Sequence, residues 1–155
     1  MLKIAVIDGQ EGGIGRQIIE EIRQRIYWDI QIIALGTNSL ATSFMVQGGA
    51  NVGATGENAV QSAAPKVDLI LGSVGIIAAN SMKGEVTEAM ALAVVSSPAR
   101  KFLIPHEKSG IKISGVDESL NTSQLIEKAV KSIKALYYEE KNGGSVAPSV
   151  PSTYK

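Results

Sequence analysis

The 155-residue sequence has no cysteine, one histidine and few aromatic residues (5 %). Without thiols there is no disulfide scaffold, no cysteine-based zinc site, no iron–sulfur cluster and no thiol nucleophile. The lone histidine, His106, removes most histidine-dependent metal sites and disfavours a Ser–His–Asp hydrolase. Charge of one sign is also missing. Fifteen Lys+Arg balance fifteen Asp+Glu, which argues against electrostatically driven binding to nucleic acid. Long apolar runs are absent too. The N-terminal run Ile4–Ile7 stops at Asp8, too short for a secretory signal. Leu69–Ala79 is interrupted by Gly72, Ser73 and Gly75, whereas a membrane helix needs about 20 apolar residues. The expectation is a soluble, cytoplasmic protein with neither a membrane nor a nucleic acid as partner. The length suits one domain with a full hydrophobic core.

What is present alternates between two periodicities. Lys3–Asp8 is a short apolar run rich in β-branched residues. Ile14, Ile18, Ile19, Ile22 and Ile26 then recur every three or four positions and predict an amphipathic helix. Ile30–Leu35 reads as a second strand, ended by Gly36-Thr37-Asn38. Ser39–Gln47 reads as a helix stopped by Gly48-Gly49, and Glu57–Ala64 as a short helix stopped near Pro65. Val67–Gly72 is a strand, Glu88–Ser97 a helix with Thr87 as N-cap, Arg100–Ile104 a strand and Lys112–Val116 a last strand. Thr122–Lys141 is a long helix with Leu125, Ile126, Ala129, Ile133, Leu136 and Tyr137 on one face. Residues 142–155, rich in Pro, Gly and Ser, read as a disordered tail after a domain over residues 1–141. Strands that are continuously apolar are covered on both faces, as in parallel sheets. The fold class is therefore α/β: a single Rossmann-like three-layer domain with a mostly parallel, doubly wound sheet and the first strand central.

The first strand runs into Asp8-Gly9-Gln10-Glu11-Gly12-Gly13-Ile14-Gly15, and a helix follows. Glycines let the backbone turn sharply, and the helix start offers N–H groups and a positive dipole end to an anion, usually phosphate. The alternative is a tight strand-to-helix turn without a ligand. The spacing Gly9, Gly13, Gly15 is Gly-x-x-x-Gly-x-Gly, and no Gly-Lys-Ser/Thr of a P-loop follows. It resembles the cofactor loop of short-chain dehydrogenases, which implies a dinucleotide. That resemblance covers the chain through Leu35. Beyond it, Gly36-Thr37-Asn38 lacks the charged residue that often reads the cofactor there. The single Tyr-x-x-x-Lys match, Tyr137 with Lys141, falls at the end of the last helix. Over its whole ordered length the chain resembles an uncharacterised bacterial family of small Rossmann-like proteins, known as a domain of unknown function. The matching stretches are Lys3-Ile4-Ala5-Val6-Ile7-Asp8-Gly9-Gln10, Ala34-Leu35-Gly36-Thr37-Asn38, Gly53-Ala54-Thr55-Gly56-Glu57-Asn58-Ala59 and Ala79-Asn80-Ser81-Met82-Lys83-Gly84-Glu85. This resemblance implies a fold and no activity.

Ligands of open α/β sheets bind outside the carboxyl ends of the strands. The residues expected there are Asp8, Gly9, Gln10, Gly12, Gly13, Ile14 and Gly15, then Thr37 and Asn38, then Thr55, Gly56 and Asn58, then Ser73, with Asn80, Ser81 and Lys83 reaching the rim. Thr55-Gly56-Glu57-Asn58 is either a second anion nest or a helix start with Thr55 as its N-cap. Asp8 either holds a ribose hydroxyl or a metal, or accepts N–H bonds from its own turn. Asp8, Glu57 and Glu85 are the one conceivable set for a hard cation. Asp8, Glu57 and His106 are the weak acid–base candidates. The expected ligand is a phosphate-bearing small molecule, a nucleotide or dinucleotide, with Thr37 and Asn38 on its sugar or base. The alternative is a non-catalytic sensor or partner-binding module.

The 53 residues from Ile30 to Met82 carry three charges, Glu57, Lys66 and Asp68, where the chain average of 19 % would give about ten. Helices 39–47 and 88–97 have no fully charged face, which predicts a homodimer or higher oligomer through them.

Overall fold

The computed structural model describes residues 1–27, 29–141 and 143, with the side chains of 139–141 excepted. The tail expected over 142–155 falls outside these residues apart from position 143. Strands β1 (Leu2–Asp8), β2 (Ile30–Gly36), β3 (Val52–Thr55), β4 (Leu69–Ser73) and β5 (Arg100–Ile104) form one parallel sheet in the order β3-β2-β1-β4-β5. The first strand is central, as expected, and β1 pairs with β2 over seven residues from Leu2↔Ile30 to Asp8↔Gly36.

Helices α1 (Gly13–Arg25), α2 (Ser39–Gln47) and α5 (Thr122–Lys141) belong to one face, and α3 (Glu57–Ala63) and α4 (Glu88–Ser96) to the other. The isoleucine stripe of α1 drives this layering. Ile18, Ile19 and Ile22 are fully buried against β1, β2 and the Ile126, Val130 and Ile133 face of α5. Each such side chain contributes about 1.5–3 kcal/mol. Arg16–Glu20 and Arg25–Glu21 ion pairs run along the outer face of α1, and Arg25 also reaches Glu127 of α5 at 3.0 Å. On the far face Val60, Ile76, Met90 and Val94 close a second core over Ala5, Ile7 and Ile70. No helix among the described residues is long and apolar enough to cross a membrane.

Two sequence expectations need correction. Val52–Thr55 is an edge strand, where the sequence pattern predicts no regular element. All four residues are exposed, so it carries no burial pattern, and its pairing with Ile33–Gly36 makes it a strand. Lys112–Val116 is not a strand. Gly115 sits at φ 85°, which breaks an extended run, and Ile111, Ile113 and Val116 line a cavity instead of a ladder.

The turn from β1 to α1 depends on two tight glycines. A Cβ at Gly15 would lie 2.9 Å from Asp8 Cβ and collide with the Met45 thioether, so α1 rests on β1 only because that position is bare. Gly12 turns the chain at φ 76° against the Ala41 backbone. Gly13 faces open space. Gly15→Ala should therefore cost about 1–3 kcal/mol of stability through overpacking. Gly13→Ala should change stability by less than about 1 kcal/mol. Urea unfolding of the two variants checks the contrast.

Candidate functional site

Asp8 ends the central strand and is buried, with 6 % of its surface exposed. Its Oδ1 accepts the Gly9 N–H and its Oδ2 the Gly15 N–H, both at 2.8 Å. These two bonds give Asp8 a turn-capping role. Burial pushes its carboxyl above the ordinary range, opposed by those two N–H groups and by the nearby His106 charge. With Gly15 held by Asp8, the first-turn amides of Gly13 and Ile14 are left without an acceptor among the described residues. A helix start with free N–H groups favours an anion.

A cavity of about 220 Å³ lies beside that helix start. Asp8, Gln10 and Ile14 form its β1 side, and Ser73 and Gly75 its β4 side. Ser81, Met82 and Lys83 close it from one loop, and His106, Lys108 and Ser109 from the end of β5. It thus occupies the crevice between β1 and β4, where the strand order reverses and the chains diverge to opposite faces. Of the sequence-expected residues, Asp8, Gln10, Ile14, Ser73, Ser81, Lys83 and His106 come together here. Lys108, Ser109 and Gly75 were not foreseen. The loop after β5 gave no composition signal, and only the chain's return to the β1 edge brings Lys108 in.

The remaining candidates sit elsewhere. Glu85 Oε1 accepts the Gln10 N–H at 2.9 Å, the Thr37 hydroxyl at 2.7 Å and the Asn38 amide at 2.7 Å. Thr37 and Asn38 therefore serve this carboxylate, and Asn38 also caps α2 through Ala41 N. Gly9 lies tightly beneath Thr37, Met82 and Glu85. The loop that carries Glu85 is strained. Asn80, Met82 and Lys83 all have left-handed φ values of 55–67°, each costing about 1–2 kcal/mol. Asn80 takes part through its backbone, its N–H donating to Val86 O at 2.7 Å. Nothing local in the sequence pairs Glu85 with Gln10.

At the outer edge, Thr55 does not cap α3. Gly56 at φ 99° is the N-cap, and the Thr55 hydroxyl meets Thr42 Oγ1 at 2.7 Å. Asn58 follows in α3 outside the crevice, and Glu57 accepts the Thr87 hydroxyl at 2.5 Å. Asp8, Glu57 and Glu85 thus stand in three separate hydrogen-bond settings, and no metal-binding cluster of acidic residues occurs among the described residues. Tyr137 packs on the core and lines a hollow of about 210 Å³ at the amino ends of β4 and β5, the edge opposite the glycine loop. A Tyr-x-x-x-Lys role with Lys141 at the crevice is therefore excluded.

The layered sheet with a glycine turn at the end of its central strand defines a Rossmann-like α/β protein. The chain belongs to the family described as Domain of unknown function (DUF3842), whose model matches residues 3–138. No curated protein matches it. Among solved structures the chain is similar to AibC, at 14 % identity over 92 % of this chain and 39 % of that one, with a TM-score of 0.47. The chain thus spans about two fifths of AibC. It is also similar to a dodecameric FMN-dependent UbiX-like decarboxylase from Escherichia coli O157:H7, at 11 % identity over 89 % and 95 % of the two chains, with a TM-score of 0.46. A third is a UDP-N-acetylglucosamine 2-epimerase, at 13 % identity over 85 % and 40 %, with a TM-score of 0.40.

Burial works against the Glu85 charge. The Gln10, Thr37 and Asn38 hydrogen bonds and the Lys83 charge outweigh it, and Glu85 titrates below the ordinary 4.5. A lowered native value means that Glu85 adds stability above pH 4.5 and that this share is lost as pH falls further, through its native value. Urea melts in acid should show this loss in the wild type. Glu85→Gln, which has no charge to lose, should show a flatter decline.

Proposed function

We propose that the protein binds a phosphate-bearing small molecule, a nucleotide or dinucleotide, in the crevice between β1 and β4. The observation that carries this reading is convergence: Lys83, His106 and Lys108, from two separate loops, meet at one cavity beside the start of α1. Ile14, whose amide is free, lines the cavity and offers a directional donor, and the lysines supply charge. Glu11 is exposed and is not among the cavity walls, so its charge does not oppose the anion directly. If the ligand is turned over, Asp8 and His106 are the groups placed for proton transfer, since both line the cavity and Asp8 holds its proton to higher pH than usual. Glu57, paired with Thr87 at another edge, has no part in it.

A second reading, a sensor or partner-binding module without a reaction, draws on Glu85. Its carboxylate already occupies donors on Thr37 and Asn38 that a sugar or base would use.

The same reading includes self-association. Helix α2 exposes Leu40 (64 %), and α4 exposes Leu92 (67 %) and Val95 (55 %). Phe44 is partly covered by the Arg16 guanidinium, 4.4 Å from its ring centre. The two apolar patches are on opposite layers of the sheet, so one two-fold contact cannot cover both and an assembly larger than a dimer fits better.

Thermal-shift titration with nucleoside monophosphates should raise the melting temperature of the wild type, and Lys83→Ala with Lys108→Ala should weaken binding about tenfold or more. No shift with any phosphate ester would overturn the reading. For assembly, Leu92→Asp should lower the mass seen by light scattering at micromolar concentration. A wild-type protein already monomeric there would end the oligomer proposal.

A further inference from the structure

The connection from β5 to α5, residues 105–121, is 17 residues long with one short 3-10 turn, Glu107–Ser109. Connections of this length without their own regular structure are uncommon in compact domains and are usually functional. This one encloses a second cavity of about 560 Å³, more than twice the crevice and within the range of small-molecule sites.

Three features define what that cavity takes. Its apolar wall is Ile111, Ile113, Val116, Leu120 and Leu125, none of them buried and Ile113 40 % exposed, so an apolar surface stands uncovered. Several of its polar groups are already engaged. Lys112 pairs with Glu118 at 2.6 Å. Asp117 accepts from the Ser119 N–H and hydroxyl. Asn121 exchanges two 2.9 Å bonds with Gln124 at the start of α5. These internal bonds shape the loop and leave no unpaired lysine for a second phosphate at Lys112. Finally, His106 and Lys108 line both this cavity and the crevice, so the two spaces share a wall.

Resting on the phosphate-binding reading, we propose that the 105–121 loop is the subsite for the organic part of the same ligand. The ligand is then a phosphate monoester with a large, flat, mostly apolar group such as a heterocyclic ring system. Its phosphate sits by Lys83 and α1, the chain passes His106 and Lys108, and the ring rests on Ile113 and its neighbours.

Calorimetric titration of the full chain with inorganic phosphate, ribose 5-phosphate, adenosine 5′-monophosphate and riboflavin 5′-phosphate tests this. At least one ring-bearing ester should bind about tenfold or more tightly than ribose 5-phosphate. Ile113→Asp, and the gentler Ile113→Ala, should erase that gain while leaving ribose 5-phosphate binding and the thermal melt unchanged. Equal affinity across the esters overturns the subsite, as does a gain indifferent to both Ile113 variants. Absence of binding by any phosphate overturns the phosphate reading and the subsite with it, a result distinct from phosphate binding without a ring contribution.

Discussion

The carboxylate of Asp8 is the fixed point of this molecule. It ends the central strand, is almost wholly removed from solvent, and accepts one N–H from each side of the glycine turn. A buried carboxylate without such partners would be costly. With them it locks the start of α1 against the end of β1, where the bare Gly15 allows close approach. The direction of α1 follows from that contact, which sets Ile14 at the crevice wall. The isoleucine stripe sets which face of α1 turns inward, and the Gly15 bond to Asp8 pins its first turn to the end of β1.

A second carboxylate, Glu85, does for the neighbouring strand end what Asp8 does for β1. It gathers a backbone amide from the glycine turn and two side chains from the end of β2, tying three segments distant in sequence. Three left-handed non-glycine residues precede it in the same loop. Strain of that kind persists where surrounding contacts over-determine the backbone. Here the strained loop forms one wall of the crevice and delivers Lys83 to it.

Much of this was legible in the sequence, for a physical reason. Periodic burial writes itself into residue type, so the α1 stripe, the buried strands β1, β2 and β4, and the central place of β1 could be read directly. The cap on α4 was equally readable, because Thr87 accepts from Met90 N as a local rule requires. What was not legible lacks such a local rule. Val52–Thr55 is a strand by virtue of its partner, not its own side chains. Ile113 and Val116 look like strand residues but face a cavity. The gathering of Lys83, His106 and Lys108 depends on how two irregular loops fold back, and the Glu85 contact spans 75 positions to Gln10. Hence the glycine turn is legible, its cationic neighbours only in part, and the bonds of Thr37 and Asn38 to Glu85 not at all.

The position of the crevice has a consequence for how the chain is held together. Its two sides are β1 and β4, and the Ile4↔Leu69 register joins segments separated by more of the sequence than any other neighbouring pair in the sheet. Joining ends across a longer stretch of chain carries a larger entropic penalty, and such non-local contacts slow folding. A molecule seated across that seam would touch two strand ends far apart in sequence at once. Its binding free energy would then be linked to the cohesion of the two halves of the sheet, not to the ordering of a loop alone.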